Sequence, residues 1–252
     1  MSTSNDHARA WQDSWDRQQE SFMPDREQRI ARVLDAVEAA VESAEPRLLD
    51  LAGGTGTISL RALARLPHAR VTLLDLDPVL LALATASLGE RAAIVSADLN
   101  EREWRATLPH QEYDAVLSST ALHWLSEGRL AEVYAEIREI LRPGGLFVNV
   151  DYMPDPALPR LSEKMENRAE AVRAAWYATG AALSWREWWS RVGEDPDLAP
   201  LAEKRKEIYP DGHSPEWAPP VTWHLKALRD AGFQEAGTVW RGGSDAAVAA
   251  VK

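Results

Sequence analysis

The stretch that decides the fold is Leu48-Leu49-Asp50-Leu51-Ala52-Gly53-Gly54-Thr55-Gly56-Thr57. Apolar residues around a single acid predict a buried parallel strand, and the glycine-rich end followed by an apolar-rich run at 58–66 predicts a tight turn and a helix start. Glycine permits positive φ in such a turn and lets the backbone approach a ligand without a Cβ in the way. The helix start then offers free N–H groups to a polar or anionic ligand group.

The glycine pattern alone leaves three interpretations open. Gly54-x-Gly56-x-x-Ser59 is close to the dinucleotide-binding pattern G-x-G-x-x-G/A, but its third small position is serine. A structural glycine-rich turn without any ligand would show the same residues. The third interpretation, a methyltransferase motif, depends on the rest of the chain.

The composition favours one soluble α/β domain with an insertion. The chain has 252 residues, a formal net charge of −11 and no cysteine. Such negative charge disfavours non-specific binding of nucleic acids and anionic membranes, and the lack of cysteine excludes disulfides and thiolate sites. Neither a secretory signal nor a run of eighteen apolar residues is visible, so we expect a cytoplasmic protein without a membrane partner.

Strand and helix patterns alternate up to residue 150. Predicted strands cover residues 47–51, 71–74, 92–96, 113–118 and 146–150, with predicted helices between them. This alternation indicates a parallel sheet with helices on both faces. Ligands bind such sheets at the carboxyl ends of the strands, where the sequence places Asp75, Asp98 and Ser118.

Residues 151–220 break this alternation. They contain nine prolines and five tryptophans, too many large aromatic residues for a solvated linker, so we expect a packed insertion with helices near 161–179 and 185–192. Within it, 204–206 reads as a solvated basic helix face. The predicted units are an N-terminal helical cap (1–24), a core (25–150), the insertion (151–220) and a C-terminal helix and hairpin (221–252). The alanine-rich segment 246–251 fits a strand or a helix.

With these elements placed, six ordered motifs resemble the class I S-adenosylmethionine (SAM)-dependent methyltransferases, in particular the ubiquinone/menaquinone-pathway and trans-aconitate methyltransferase group. They are Asp50-x-Ala52-x-Gly54-x-Gly56, Asp75, Ala97-Asp98-Leu99, the run from Ser118 to Leu125, Leu141-Arg142-Pro143-Gly144-Gly145-Leu146, and Ala231-Gly232-Phe233. The family usually has glycine where Ala52 stands. The resemblance implies a Rossmann-like seven-stranded sheet in the order 3-2-1-4-5-7-6, with the last strand antiparallel, helices on both faces and a helical lid insertion.

The resemblance also implies SAM as the cofactor and assigns its site. Asp50 would orient the glycine turn, whose backbone at Ala52, Gly53, Gly54 and Gly56 would lie close to the methionine part. Asp75 would accept hydrogen bonds from both ribose hydroxyls, and Asp98 would bind the adenine amino group. The remaining contacts are Leu76 and Leu99 on the adenine ring and Ser118 on the methionine part. The alternatives are a capping role for Asp50 and a turn role for Asp75, as Asp77 is expected to have.

Candidates for catalysis and acceptor binding follow from position. His123 comes just after the fourth strand and could be a general base, or simply a hydrogen-bonded structural histidine. Trp185, Trp188 and Trp189 share one helix face, which suits either an aromatic wall over an acceptor or helix packing. Further acceptor candidates are Tyr152 and His213. No residue spacing suggests a metal site.

These observations predict a methyltransferase that acts on an O, N or C atom of a small, apolar or aromatic metabolite. Three alternatives remain open: a nicotinamide-dependent dehydrogenase, a tRNA-modifying methyltransferase, and a SAM-fold biosynthetic protein that binds the cofactor without methylating. The negative charge makes nucleic acid an unfavourable partner. We expect a monomer or a homodimer.

Overall fold

Seven strands form one sheet in the order β3-β2-β1-β4-β5-β7-β6 in the computed structural model, which describes residues 2–23, 25–210, 212 and 216–252. The strands are β1 (Arg47–Leu51), β2 (Arg70–Asp75), β3 (Ala92–Ser96), β4 (Tyr113–Ser119), β5 (Leu141–Tyr152), β6 (Glu235–Gly242) and β7 (Asp245–Val251). The first five are parallel, and β7 runs antiparallel to both β5 and β6. The predicted sheet is confirmed.

Helices cover both faces of this sheet and form the insertion. They are α1 (Ser2–Phe22), α2 (Arg26–Ala40), α3 (Thr57–Arg65), α4 (Pro78–Leu88), α5 (Glu127–Ile140), α6 (Pro159–Ala178), α7 (Trp185–Glu194), α8 (Ala199–Ile208) and α9 (Val221–Asp230). Helix α8 contains residues 204–206, which were expected on a helix face, but its bounds were not predicted. None of the helices in the described ranges is long and apolar enough to cross a membrane.

The core lies in two layers, one on each face of the sheet. Tyr134 and Leu228 bring α5 and α9 against one face, which includes Phe147 of β5. On the other face, residues of α2 and α3 such as Val33 pack on Val148 of the same strand. Because side chains alternate along a strand, odd and even positions of β5 face different layers, and this alternation also places the functional side chains.

Strand β5 begins five residues earlier than predicted. Its register with β4 jumps from Tyr113↔Leu141 to Ala115↔Leu146, so the turn at 142–145 is an irregularity inside the strand. Gly144 has a φ of 75°, and a Cβ on Gly145 would lie 2.8 Å from the carbonyl oxygen of Arg142. The two glycines are therefore required by the tight backbone of this bulge.

A third apolar cluster joins the N-terminal helix and the insertion to α4. Trp15 of α1 and Trp188 of α7 pack with Val79 and Leu83 of α4, and Ala202 brings in α8. The insertion therefore packs, through α7 and α8, against α4, the helix that follows β2.

Candidate active site

The glycine turn between β1 and α3 depends on small residues at several positions. Gly54 and Gly56 have φ of 56° and 82°, and Ala52 also has a positive φ of 53°. A Cβ on Gly53 would lie 2.6 Å from Cγ of Asp50. Ala52 therefore adopts a backbone that favours glycine, which is the residue that the resembling family has there.

Asp50 lies directly beneath this turn. It is 2 % exposed, and its Oδ2 accepts hydrogen bonds from the backbone nitrogen and the hydroxyl of Ser59, at 3.0 and 2.7 Å. Its Oδ1 is buried and has no hydrogen-bond partner among the described residues. Burial raises the pKa of Asp50 to about 6. Ser59, the residue that departs from the dinucleotide pattern, thus holds the acid in place.

Asp75 ends β2 and holds the backbone of two turns. Its Oδ2 accepts from the nitrogen of Gly54, and its Oδ1 accepts from the nitrogens of Leu76 and Asp77, each at 2.8 Å. These bonds use three of the roughly four acceptor positions of a carboxylate. Burial, with the charge of Asp77 adding to it, raises the pKa of Asp75 to about 6 against the effect of the backbone donors.

Asp98 follows β3 at the same edge of the sheet. Its Oδ1 accepts from the backbone and side-chain nitrogens of Asn100, at 2.8 and 3.0 Å. Leu76 is half-buried, whereas Leu99 is buried in the core. The ends of β1, β2 and β3 therefore present their acids in a row, as expected for this edge.

Ser118 continues the row on β4. It is fully buried and pairs in register with Asn149 of β5. Neither its hydroxyl nor the side-chain amide of Asn149 has a hydrogen-bond partner within the part of the chain that the structure describes. The contact of the Ser118 backbone with the methionine part remains a prediction.

His123 and Asp151 form a pair at the ends of β4 and β5. Nδ1 of His123 lies 2.7 Å from Oδ1 of Asp151, which also accepts from the nitrogen of Tyr152. Burial alone lowers the pKa of His123, but the hydrogen bond and charge of Asp151 outweigh burial and leave the pKa above its ordinary value. A base held by an orienting carboxylate is an arrangement that supports proton transfer. The contact leaves Nε2 for another partner.

Aromatic residues that were not predicted for the site surround this pair. The ring of Trp124 lies 4.7 Å from that of His123, and the nitrogen of Trp217 donates to the His123 carbonyl at 2.9 Å. Trp217 in turn lies 4.6 Å from Trp223 of α9. Trp217 and Trp223 are distant in sequence from His123, so no local pattern indicated this cluster.

The three tryptophans of α7 lie elsewhere, and the expectation for Trp188 needs correction. Trp188 is 0 % exposed, and its ring lies 5.0 Å from Trp15 and 5.4 Å from Trp11 of α1. Trp185 is 44 % exposed and packs 5.7 Å from Trp189. A fully enclosed ring cannot stack on an acceptor, so Trp188 is a packing residue that joins α1 and α7 to α4.

The remaining acceptor candidates do not meet at His123. Tyr152 is on β5 next to Asp151, and adjacent strand residues face opposite sides of a sheet. Its hydroxyl contacts Glu166 of α6. His213 lies outside the described residues.

Helix α1 contributes a residue that the sequence did not suggest. Nε2 of Gln12 donates to the hydroxyl of Thr55, inside the glycine turn, at 3.0 Å. Gln12 is 5 % exposed, and its Oε1 is buried without a hydrogen-bond partner among the residues described here. The N-terminal helix therefore contacts the glycine turn directly.

Helix α8 also reaches the carboxyl edge of the sheet. Residues 204–206 were expected to form a solvated helix face, and this expectation is wrong for Arg205. Asp77 caps α4, as predicted, by accepting from the nitrogens of Val79 and Leu80, at 2.9 and 3.3 Å. The guanidinium of Arg205 forms an ion pair with the same carboxylate and lies 3.9 Å above the ring of Trp189. Arg205 is held between α4 and α7 instead of in solvent.

One group with metal-binding side chains occurs in the described residues, away from the acids at the strand ends. Nε2 of His7 lies 2.8 Å from Asp195, and its Nδ1 lies 3.7 Å from Asp197. Nε1 of Trp11 also donates to this group, to Oδ2 of Asp195 at 3.0 Å. The group is therefore a link between α1 and the turn before α8.

A comparison with protein families decides between the interpretations of the glycine turn. Residues 48–145, from β1 into β5, match the family described as methyltransferase domain. Over these residues the chain is similar to class I SAM-dependent methyltransferase domains. The glycine turn, the three acids at the strand ends and His123 all lie within the matched residues.

Curated relatives match the same methyltransferase domain. The ubiquinone/menaquinone biosynthesis C-methyltransferase of Methylobacterium nodulans is 33 % identical over 118 residues, which is 46 % of this chain and 46 % of that protein. The malonyl-[acyl-carrier protein] O-methyltransferase of a Paenibacillus species is 28 % identical over 119 residues, 46 % of this chain and 42 % of the relative. The matches thus span about half of this chain and less than half of each relative.

A solved structure with the same architecture extends the likeness beyond the matched residues. Human N-acetylserotonin methyltransferase, determined in complex with SAM, aligns with a TM-score of 0.54 at 17 % identity, over 87 % of this chain and 51 % of that one. At this identity the likeness concerns the fold of the methyltransferase domain and its helices.

Proposed function

We propose that this protein transfers the methyl group of SAM to an O, N or C atom of a small metabolite. The observation that carries the proposal is one continuous row along the carboxyl edge of the sheet. The row begins with the acids at the ends of β1, β2 and β3 and ends at the His123–Asp151 pair beside β4 and β5.

The unpaired acceptors at the glycine turn fit the ammonium group of SAM. Oδ1 of Asp50 and Oε1 of Gln12 are both buried and lack partners within the described ranges. An ammonium group offers three donors to such oxygens, whereas the pyrophosphate of a dinucleotide needs donors and is repelled by a carboxylate. This difference favours SAM over a nicotinamide cofactor.

The acid row suits the adenosine part. Asp75 retains an acceptor position on Oδ2 for a ribose hydroxyl, and a second hydroxyl would share Oδ1 with the turn nitrogens. Asp98 keeps Oδ2 for the adenine amino group, because its bonds to Asn100 use Oδ1. Leu76 is half-buried beside them and suits contact with the adenine ring. Ser118 would contact the methionine part through its backbone.

Bound SAM supplies an activated methyl group, so the protein must hold an acceptor atom in line and remove a proton where the acceptor carries one. We assign proton removal to Nε2 of His123. Asp151 would hold the ring in the tautomer that leaves Nε2 free to accept, and its charge would stabilise the protonated ring. The ring of Trp124 beside His123 suits an apolar or aromatic acceptor.

The units outside the core take roles of cover and selection in this proposal. The N-terminal cap, residues 1–24, would close over the methionine side of the cofactor through the Gln12–Thr55 contact. The insertion, residues 151–220, would be a lid that excludes water and fixes the approach of the acceptor. Tyr152 at its start and the exposed Trp185 lie away from His123, so this proposal gives neither a contact with the reacting atoms.

Two alternatives make different predictions in one experiment. A tRNA-modifying methyltransferase would label RNA, and a protein that binds SAM without methylating would label nothing. The purified protein is incubated with methyl-labelled SAM and either a metabolite extract or bulk tRNA. The proposal predicts label in small molecules, dependent on His123. Label confined to tRNA contradicts it, and so does SAM binding without any labelled product across extracts.

A further inference from the structure

Arg205 joins helix α8 of the insertion to the turn that follows β2, in addition to the apolar packing of Ala202. Arg205 forms an ion pair with Asp77, stacks 3.9 Å above Trp189 and lies 5.1 Å from the ring centre of Tyr209. Asp77 is two residues beyond Asp75 and is itself fixed as the cap of α4. The guanidinium thus connects the end of α8 to the turn that presents the ribose acid.

Tyr209 comes directly after α8 and lies beside the guanidinium that pairs with Asp77. It is half-buried, and burial raises the pKa of its phenol. The nearby charges of Asp75, Asp77 and Asp98 raise the pKa further. The contact with Arg205, which pairs with Asp77, places the phenol beside the turn after β2, where the ribose would be recognised.

We propose that Tyr209 is a cofactor-contacting residue that covers the adenosine part of SAM, and that Arg205 is its positioning residue. The inference rests on the proposed function and deepens it, because part of the cofactor site would come from the insertion and not from the core alone. A phenol offers a flat ring and one O–H donor. Adenosine has the flat base and the hydroxyls that match them, whereas the methionine part has no ring to stack on.

The position of Arg205 explains why a tyrosine at the end of a short helix can serve this role. The ion pair with Asp77 and the stacking on Trp189 hold the guanidinium from two sides. The phenol ring lies 5.1 Å from this guanidinium and is therefore held near Asp77. Lys206, the next residue, is exposed and pairs with Glu203 of the same helix, so it is a matched control.

The test compares cofactor fragments with and without the methionine part. Calorimetry on the full chain measures S-adenosylhomocysteine and 5′-methylthioadenosine, which share adenosine, against wild type, Tyr209→Ala, Tyr209→Phe, Arg205→Ala and Lys206→Ala. We expect Tyr209→Ala to weaken both ligands by the same factor, about tenfold or more, as lost base stacking does. Tyr209→Phe should retain most of the affinity, and Lys206→Ala should bind like wild type.

A positioning role for Arg205 has its own signature. Arg205→Ala should weaken both ligands less than Tyr209→Ala does, and adding it to Tyr209→Ala should change the affinity little, because the two residues act as a unit. Circular dichroism checks that each variant is folded. Tyr209→Phe keeps the ring and removes only the hydroxyl, so it separates the two contributions.

The outcomes separate this inference from the proposed function. If wild type binds both ligands and folded Tyr209→Ala binds them equally well, the inference is overturned and the cofactor assignment stands. A loss with S-adenosylhomocysteine but not with methylthioadenosine would place Tyr209 at the methionine part and would also overturn it. If wild type binds neither ligand, the proposed function and the inference fail together.

Discussion

Asp151 holds the ring of His123 through a contact of 2.7 Å between Oδ1 and Nδ1, across 28 residues of sequence. His123 follows β4, and Asp151 lies near the end of the neighbouring parallel strand β5. The sheet therefore brings the two side chains together. The raised pKa of His123 follows from this contact, since burial alone would lower it.

The first prediction is a shift of the pH–rate profile in Asp151→Asn. A base acts in its neutral form, so the rate should rise with pH through the raised pKa of His123. Asp151→Asn removes the main cause that raises the pKa of His123. The rising limb of the pH–rate profile should therefore move to lower pH. The plateau should fall by roughly 10²-fold, because the ring is no longer held.

Two controls accompany that profile. His123→Gln should abolish the limb altogether, while SAM affinity in both variants stays close to that of wild type. A profile that does not move in Asp151→Asn would show that the pair has a structural role only.

The second prediction concerns the ribose acid. Asp75→Asn should weaken SAM binding by about 1.5–3 kcal/mol, roughly 10–150-fold, because a charged acceptor is replaced by a neutral one. Asp114, at the start of β4, is a matched acid at the opposite edge, where it accepts from the nitrogen of Arg47 at 2.6 Å and pairs with Arg142. Asp114→Asn should leave SAM affinity unchanged in the same titration. Equal affinities for Asp75→Asn and wild type would remove the ribose assignment.

The third prediction separates packing from binding among the tryptophans of α7. Trp188→Ala should lower the free energy of unfolding by about 3–5 kcal/mol, since it empties the cluster that joins α1, α4 and α7. Trp185→Ala, whose side chain is 44 % exposed, should cost much less. Urea unfolding measures both. A small loss of unfolding free energy for Trp188→Ala would contradict the packing role that its burial indicates.

The fourth prediction tests the contact from the N-terminal helix. Gln12→Ala removes the amide that joins α1 to Thr55, and it should weaken SAM binding by about 0.5–1.5 kcal/mol, as the loss of a neutral hydrogen bond does. Asp13, the next residue, is exposed, and Asp13→Ala should have no effect. If both variants bind SAM like wild type, α1 covers the glycine turn without touching the cofactor.

Much of the fold was predictable because its signals are local. Apolar runs, the glycine turn and the caps each involve residues close in sequence, and the acids at the strand ends follow from parallel topology. The alanine-rich 246–251 was ambiguous for the same reason, since alanine favours helices. Pairing of β7 with β5 and β6, with Ala247 and Val248 buried, decides the outcome, and such pairing is not a local property.

The contacts that complete the candidate site could not be predicted in this way. Gln12 and Thr55 are 43 residues apart, and Asp77 and Arg205 are 128 residues apart. Helical spacing placed three tryptophans on α7 but could not tell which neighbour would cover Trp188. Only the packing of α1 and α7 on α4 determines that burial.

The most direct test of the central claim is a calorimetric titration of the purified full chain with SAM, S-adenosylhomocysteine and NADH. The account predicts saturable binding of both sulfur compounds at one site, competition between them, and no binding of NADH. Loss of this binding in Asp75→Asn but not in Asp114→Asn would locate the site at the carboxyl edge. Saturable binding of NADH together with no binding of SAM would contradict the account.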